Sequence, residues 1–397
     1  MPANVSNVNS AMGFQQAATL MNSIVQQATG KTALTATSTA AFISQAQTAL
    51  LTGTDVLMNA ISQVLSKTIF SIRPYNARFR GLQRDAVAWG NHVRKINFGS
   101  TGVEAEERYD LTDGQSVDPY KVKKPDILQS NFYSYNSYQN HISIFRDQLN
   151  MAFSGPDEFM RFMSGVTTEV SNKLEQYREE FARVTLCNLM GATINLSRVR
   201  HLLTEFATEY GIVDSNSQPD PTAVLPTYLE AFVKWLFAEL RTLSDRFEER
   251  TNLYQTNISG HDIYRHTPKE RQRLYIFSPF LNKIDAQVLA SVYNPNYLQM
   301  GDREAVTYWQ SMQTPDTIKV TPSQINPSTG AYAQGNAVTA TVLGVLMDYD
   351  AAGVTQIHEW TASTPFNPAG GYTNLFYHMD MRGWNDCTEK AMVLCLD

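Results

Sequence analysis

The chain has 397 residues, of which 43% are hydrophobic, and a formal net charge of −6. A chain of this length and composition can bury an ordinary core, in one large domain or in two to three smaller ones. The acidic balance argues against a strong nucleic-acid-binding protein, which needs a basic patch.

The cysteine content and the lengths of the apolar runs limit the cellular compartments that fit the chain. The three cysteines form no C-x-x-C pair, so neither a zinc knuckle nor a disulfide framework is indicated and a reducing compartment fits. No apolar run approaches the length of about 18 residues that a membrane span needs. The first residues lack the charged-then-apolar order of a signal peptide. We therefore expect a soluble, intracellular protein without membrane contact.

The N-terminal segment, residues 1–53, is almost free of charge, and Lys31 is its only charged side chain. Such a stretch cannot easily build its own core, yet it is too apolar for an ordinary linker. Two interpretations stay open: an arm that becomes ordered against another surface, such as a neighbouring copy, or a frayed tail. A short amphipathic helix over residues 54–70 follows, with Thr54 as its N-cap.

Two extended runs, residues 86–99 and 127–145, flank a charged stretch and predict a long hairpin-like arm. The second run carries tyrosines that could stack bases, but it lacks interleaved basic residues, so a packed strand is favoured. The two limbs of the charged tip have opposite charge: Glu104, Glu106, Glu107 and Arg108 on one limb, and Lys121, Lys123 and Lys124 on the other. These charges either pair within a solvated loop or contact another subunit, and the sequence leaves both possibilities open.

One very long helix is predicted over residues 156–190. Its apolar residues recur at steps of three and four from Phe159 to Val184, Pro156 suits the first helical position, and Gly191 is a plausible stop. Gly165 lies inside it and predicts a slight bend or a close crossing. The opposite face carries two i,i+4 pairs, which are expected to look outward, toward a surface or a neighbouring molecule: Glu169 with Lys173, and Glu179 with Arg183. A coiled coil is disfavoured because no second heptad run exists.

The second half of the chain mixes helices and strands. Residues 199–213 predict a short helix, 214–227 a Pro- and Ser-rich domain boundary, and 228–247 a strong amphipathic helix. Residues 272–294 read as a buried strand followed by a helix. Further strands are expected as a strand–acidic turn–strand unit at 338–360 and as two strands around a polar turn at 374–396.

Catalytic signatures are scarce. The best candidates for a metal are a loop with His261, Asp262 and His266, and a strand with His378 and Asp380. Spacing does not favour the loop as a site, and a histidine near a carboxylate is more often a structural pair than half of a catalytic set. Nothing lowers the pKa of Cys187, so a nucleophile role is not expected.

The order of these parts resembles that of the major capsid proteins of tailed bacteriophages, and most of all the shell proteins of small short-tailed phages. Four stretches carry the resemblance, which runs from residue 54 to the C-terminus: SNFYSYNSYQNHISIFRDQLNMAFSGPDEF, RLYIFSPFLNKIDAQVLASVYN, VLGVLMDYDAAGVTQIHE and FNPAGGYTNLFYHMDMRGWNDCTEKAMVLCL. No single motif is diagnostic, and the resemblance rests on the order of the elements.

The resemblance implies an α+β tailed-phage major capsid fold. Its parts would be an N-terminal arm (1–53), a short helix and lead-in (54–85), an extended loop (86–145), a peripheral domain (146–213 and 355–397) with a spine helix (156–190), and an axial domain (214–354). The charged residues of the loop tip and of the long helix are then candidates for the subunit interface.

The function that the resemblance implies is that of a head protein without enzymatic activity, cofactor or metal. Identical chains would assemble as pentamers and hexamers into an icosahedral or prolate shell around double-stranded DNA, in the host cytoplasm, and remain in the virion. Its partners would be its own copies, portal and head-decoration proteins, DNA contacted non-specifically, and a separate scaffolding protein, because the N-terminal segment is too short and charge-poor for a built-in one. Crosslinking is not expected, since no trio of residues for it can be placed.

Three alternatives remain at this stage. A cellular nanocompartment shell shares the implied fold and would enclose an enzyme instead of a genome. A metal-dependent hydrolase would use the histidines and aspartates named above. A partner-binding module would display the charged loop.

Overall fold

The computed structural model describes residues 14–30, 36–50, 56, 78–84, 93–98, 110–118, 120, 122, 127–132, 135–148, 155–258, 262–287 and 302–397. The helices in these ranges are α1 (Phe14–Thr29), α2 (Thr39–Leu50), α3 (Pro156–Asn195), α4 (Leu202–Glu209), α5 (Val224–Thr227), α6 (Leu229–Glu248) and α7 (Ser278–Gln287). Apart from Val56, the predicted helix over 54–70 lies outside these ranges. Among the described helices, none has the length and apolarity that crossing a membrane requires.

The strands in these ranges form two larger sheets and two small ribbons. They are β1 (Gln83–Arg84), β2 (Val93–Phe98), β3 (Ile127–Phe132), β4 (Asn136–Phe145), β5 (Val199–His201), β6 (Gln272–Phe277), β7 (Asp302–Val306), β8 (Thr317–Val320), β9 (Ser323–Ile325), β10 (Tyr332–Gln334), β11 (Val338–Asp348), β12 (Ala352–Ser363), β13 (Tyr372–Asn385) and β14 (Ala391–Cys395). One sheet has the order β1-β12-β13-β4, and the other has the order β5-β14-β11-β6-β7 with β8 paired to β11. The mixture of helices and strands agrees with the predicted α+β class.

Two short crossovers join the two sheets. The chain passes from β11 to β12 through Tyr349 and from β13 to β14 through Cys387, so each pair of consecutive strands is split between the sheets. The crossovers lie side by side, because the Asp386 N–H donates to the Ala351 carbonyl at 2.7 Å. The segment 355–397, predicted as one part of the peripheral domain, is therefore shared between both sheets.

The long helix α3 is confirmed as a helix and is longer than predicted. It packs against β12 and β13 of the four-stranded sheet, against β8, β11 and β14 of the other sheet, and against β9. Gly191 does not end the helix, which continues to Asn195. The end is made by Ser197, whose positive φ of 58° turns the backbone so that the Arg198 N–H donates to the Thr193 carbonyl at 3.0 Å.

The apolar stripe of α3 follows the prediction only in part. Val170, Leu174 and Phe181 are buried, whereas Val184 is 64% exposed. From Phe181 to Thr193 the helix is buried almost all round, because strands of both sheets contact it. Gly165 is exposed, and a Cβ placed on it would meet no atom within 4 Å, so the predicted close crossing is wrong among the described residues.

The charge-poor N-terminal segment contains two packed helices in its described part. Helices α1 and α2 contact each other and both contact α3. Met21, Ile24 and Phe42 are completely buried in the core that they share. This part of the segment is therefore ordered against its own chain, which supplies the apolar surface that the segment lacks by itself.

The predicted hairpin is confirmed over a shorter length. Strands β2 and β3 pair antiparallel, from Val93 opposite Phe132 to Phe98 opposite Ile127. The rest of the second extended run, β4, pairs instead with β13 in the four-stranded sheet. The alternation of side chains predicts both strands equally well, and only the distant partner decides which sheet each one joins.

Three further predicted elements can be compared with the structure. The amphipathic helix over 228–247 is confirmed as α6, with Phe232, Leu236, Leu240 and Leu243 on its buried face. The strand–helix unit at 272–294 is confirmed in its described part as β6 and α7. The predicted helix over 199–213 is wrong at its start, where β5 pairs in parallel with β14.

Candidate subunit interface

The charged tip of the hairpin arm lies outside the described residues. All seven of its candidate interface residues fall there: Glu104, Glu106, Glu107, Arg108, Lys121, Lys123 and Lys124. The described residues between the two limbs expose apolar side chains, of which Tyr120 (87% exposed) and Val122 (77% exposed) are the most accessible. The contact role of the charged limbs stays a prediction.

The base of the hairpin is anchored on its own subunit through Lys95 of β2. Its ammonium lies 2.6 Å from a carboxylate oxygen of Asp386 and also contacts Glu389, and both carboxylates are buried in the crossover between β13 and β14. Arg265 contacts Glu389 from the other side at 2.8 Å. An anchor of this kind fixes where the hairpin leaves the subunit.

The anchor shifts the pKa of each of its members. Burial alone would raise the pKa of Asp386, but Lys95 and hydrogen bonds from Thr388 lower it below the usual value. Burial raises the pKa of Glu389, and Lys95 and Arg265 offset only part of that effect. Burial would lower the pKa of Lys95, and the two carboxylates outweigh it and raise that pKa.

The two faces of the hairpin have different surroundings. Phe132 lies on the same face as Lys95 and packs edge-on against Tyr332, with ring centroids 5.7 Å apart. Ile96 and Ile127 lie on the opposite face and are exposed. The subunit therefore covers one face of the hairpin and leaves apolar side chains on the other.

No pattern in the sequence predicts this anchor. The stretch around Asp386 and Glu389 reads as a polar turn, although the turn is buried in the structure. Lys95 is separated from Asp386 by almost three hundred residues, so no local pattern connects them. The available signal was the density of charged residues in a turn between two strongly apolar strands.

On the long helix, one predicted ion pair faces outward. Glu169 and Lys173 lie 3.1 Å apart and both side chains are largely exposed. The pair is available to a neighbouring molecule, and a surface pair of this kind contributes little to the stability of the subunit itself.

The second pair on the helix faces inward, so the expectation of an outward charged face is wrong for Glu179 and Arg183. The two side chains pair at 2.7 Å and are both buried. The Arg183 guanidinium stacks over the ring of Tyr308 at 3.8 Å, and Glu179 accepts a hydrogen bond from the Arg78 backbone N–H. The reason is the second layer of chain that covers this side of the helix, which helical periodicity cannot anticipate.

The histidine candidates for a metal site form no metal cluster in their described part. His261 lies outside the described residues, and no cluster of three or more His, Cys, Asp or Glu side chains suited to a metal ion exists in the part of the chain that the structure describes. His378 stacks on Trp360, with ring centroids 3.8 Å apart. Asp380 accepts a hydrogen bond from the Ser137 hydroxyl at 2.6 Å. Both residues have structural partners on the sheet.

The outer face of the four-stranded sheet, meaning the face directed away from α3, carries a row of aromatic side chains. Trp360, His378, Phe376 and His141 stack in sequence across β12, β13 and β4. The inner face packs on α3, where Tyr138 stacks on Tyr177. The sheet therefore has one covered face and one open aromatic face.

Solved structures of phage capsids share this fold. A capsid chain of Staphylococcus phage Andhra is 8% identical, with a TM-score of 0.51 over 81% of this chain and 84% of that chain. A chain in the structure of the head fiber and inner core protein gp22 of native bacteriophage P68 is 10% identical, also with a TM-score of 0.51, over 81% and 85%. At these identities the similarity shows the fold alone. No curated protein matches the chain by sequence.

The long helix packed on two sheets and the antiparallel hairpin are parts of a fold that solved phage capsid chains share. The chain belongs to the Phi29-like phage major capsid protein family, whose model matches residues 21–394. The predicted identity as a major capsid protein is thus confirmed: the chain is a structural protein of the phage virion that assembles with its own copies into the shell. Neither the nanocompartment shell nor the metal-dependent hydrolase is favoured.

Proposed function

We propose that this capsid protein forms pentamers and hexamers that close into an icosahedral or prolate head around double-stranded DNA, and that the hairpin arm makes a contact between neighbouring subunits. The observation that carries the proposal is the set of apolar side chains that the arm leaves in solvent. They are Ile96, Leu111, Val117, Tyr120, Val122 and Ile127. Their concentration on one projecting segment is typical of a surface that becomes buried in a complex.

The partners of the shell follow from the same proposal. A separate scaffolding protein guides assembly in the host cytoplasm, a portal occupies one vertex, and decoration proteins bind the outside of the head. The DNA is contacted non-specifically. Such contact needs no strong basic excess on the inner surface of the shell, so the net charge of −6 is compatible with it. The chain has no enzymatic role, and its protein–protein contacts carry the function.

The division into peripheral and axial parts is also a proposal. The four-stranded sheet and α3 form the peripheral part, and the six-stranded sheet with α6 forms the axial part. The support is that the strands pair into two separate sheets, and that a hydrogen bond between Ser244 and Gln272 joins α6 to the six-stranded sheet.

Assembly tests the proposed function directly. The full chain is expressed with and without its scaffolding partner and examined by electron microscopy and analytical ultracentrifugation. We expect closed shells with the partner and free subunits or small oligomers without it. A protein that stays monomeric under all conditions would rule out the proposed function.

Charge reversal tests the contact role of the tip. If the acidic limb of one subunit meets the basic limb of another, Glu106→Lys and Lys123→Glu should each impair assembly, and co-expression of the two variants should restore it in mixed shells. Pairing within one loop gives a different result, since mixing two impaired chains would not restore a contact inside either chain. Lys173→Glu tests whether the exposed pair on α3 contributes in the same way.

A further inference from the structure

Arg198 lies between the end of α3 and the start of β5 and is almost completely buried, with 7% of its surface exposed. An arginine side chain presents its N–H donors along the edges of a planar guanidinium. On one edge, Nη1 donates to the carbonyl oxygens of Tyr254 and Glu389, at 3.0 and 3.2 Å. Nε and Nη2, which form another edge, have no hydrogen-bond partner among the described residues. We call this pair of nitrogens the donor edge of Arg198.

The side chains that act electrostatically on Arg198 are those of Cys387, Asp386 and Tyr332. Burial raises the pKa of the Cys387 thiol, so the thiol is uncharged at neutral pH, and a neutral thiol is only a weak acceptor. Burial also raises the pKa of Tyr332, whose hydroxyl is likewise uncharged. The Asp386 carboxylate pairs with Lys95 at 2.6 Å. In the described part of the chain, none of these groups accepts a hydrogen bond from the donor edge.

Among the described residues, the ion pairs around the crossover between β13 and β14 have one positive charge in excess. They consist of two carboxylates and three cations: Asp386 and Glu389, with Lys95, Arg265 and Arg198. Asp348, the next carboxylate outward, is contacted by Arg271 at 3.4 Å and so has a cation of its own. Lys390 adds a further buried cation, whose ammonium donates to backbone carbonyls. Buried positive charge is costly unless a negative partner accompanies it.

Thr256 contributes a further hydrogen-bond donor to this region. Its backbone N–H donates to the Cys387 carbonyl at 2.9 Å. Its hydroxyl is buried and, within the described ranges, has no hydrogen-bond partner. A guanidinium edge, a hydroxyl and a thiol are all donors, whereas buried polar groups in proteins normally combine donors with acceptors. The region is therefore rich in donors and poor in acceptors.

We propose that the donor edge of Arg198 binds one small monovalent anion, of the size of chloride, inside the folded subunit. A single negative charge balances the excess of the surrounding ion pairs, and a guanidinium edge is a strong donor to an anion. A nucleic-acid phosphate does not fit, because the edge is buried within the subunit. The inference goes beyond the proposed function, since the site belongs to each subunit whether or not shells form. The anion would strengthen the connection that Arg198 already makes between the Tyr254 loop and the crossover.

Urea unfolding of free subunits in chloride and in gluconate, at pH 7 and equal ionic strength, tests the site. Gluconate is too large for a site of this kind and serves as the reference anion. At a chloride concentration ten times its Kd, a ligand that binds only the folded chain lowers the unfolding equilibrium constant roughly elevenfold. We expect a decrease of this kind that follows a saturable binding curve. Equal constants in the two salts, or a difference that grows without saturation, would overturn the inference.

Two substitutions of Cys387 distinguish a bound anion at this place from a general effect of salt. Cys387→Asp introduces a carboxylate of similar size next to Arg198, so the charge is balanced within the chain and the dependence on chloride should disappear. Cys387→Ser is the uncharged control and should keep the dependence. Circular dichroism checks that both variants are folded. The same dependence on chloride in both variants would overturn the inference.

A substitution of Arg198 tests the donor edge itself. Arg198→Lys keeps the positive charge but removes the planar edge, so the dependence on chloride should be lost. Arg246→Lys, at an exposed position of α6, is the matched control and should behave like the wild type. A folded Arg198→Lys variant that responds to chloride as the wild type does would overturn the inference. If this variant does not fold, the wild-type titration and the two Cys387 variants still decide between the outcomes.

Discussion

At the scale of single residues, the crossover between β13 and β14 shows how charge is tolerated in the core. Asp386 and Lys390 are completely buried. Asp386 pairs with Lys95, and the Lys390 ammonium donates to the Phe247 and Glu249 carbonyls at 3.0 and 2.6 Å. Each buried charge thus has a partner, as it must when water is excluded.

Lys95→Met tests the hairpin anchor. The change leaves two buried carboxylates without their shared cation, so we expect the free energy of unfolding to fall by about 3 kcal/mol. Amide hydrogen exchange in β2 and β3 should accelerate as the hairpin base loses its attachment. The control is Lys173→Met, which breaks the exposed pair with Glu169 and should change stability by less than about 0.5 kcal/mol. Equal effects of the two changes would contradict the anchor.

The buried thiol of Cys187 predicts a pH dependence. Burial raises the pKa of Cys187 to about 12, whereas an unfolded thiol titrates near 8.5. Between pH 9 and pH 11 the unfolded chain has lost a proton that the folded chain retains. The free energy of unfolding therefore falls with rising pH, by about 1.4 kcal/mol per pH unit for this thiol.

Urea unfolding of free subunits under reducing conditions measures this slope. Cys187→Ala should reduce the slope by that amount. The smaller side chain also lowers the free energy of unfolding by an amount that does not depend on pH. The slope that remains includes the other buried thiols, since burial also raises the pKa of Cys395 to about 12. An identical slope for wild type and variant would contradict the assignment.

Among the secondary-structure elements, α3 shows that tertiary packing outweighs the local sequence signals that usually end a helix. A glycine near the end of a periodic pattern usually marks a stop, yet Gly191 lies inside the helix. It is needed there because a Cβ would stand 2.5 Å from a methyl carbon of Val320 in β8. The glycine thus permits the close approach of a strand, and the helix ends one turn later.

The two glycines of α3 give a matched pair of substitutions. Gly165→Ala meets no neighbour and should raise the free energy of unfolding by about 1 kcal/mol, the usual gain in a helix. Gly191→Ala should lower it by about 1–3 kcal/mol, because overpacking against β8 outweighs that gain. Adding Val320→Ala to Gly191→Ala should recover part of the loss. Thermal and urea unfolding measure all four proteins, and stabilisation by Gly191→Ala would show that β8 does not pack this closely.

At the scale of the whole molecule, the two sheets behave as one body. The long helix contacts both of them, and both crossovers run from one sheet to the other. The main hydrophobic cluster is continuous through α1, α3, α6 and both sheets. A subunit with one continuous core is expected to resist deformation as a unit, which suits a structural protein of a shell.

This continuity predicts cooperative unfolding of the free subunit. Far-UV circular dichroism and tryptophan fluorescence should give coincident transitions in urea, because neither sheet retains a complete core without α3. Trp309, buried beside β11, and Trp360, on the outer face, report on different sheets. In each variant that keeps only one of these two tryptophans, the fluorescence midpoint should equal the circular dichroism midpoint of the same variant. Two separated midpoints would mean that the sheets are independent domains.

Local periods of 3.6 and 2 are enough to predict the long helix, the helix at 229–248 and most strands. The order of these elements also carries the resemblance to capsid proteins. Long-range packing, in contrast, sets which sheet each strand joins, turns Glu179 and Arg183 inward and brings Lys95 to Asp386. The reason is physical. Period and capping act within a few residues, whereas strand partners, second layers and buried ion pairs join residues that are distant in the chain.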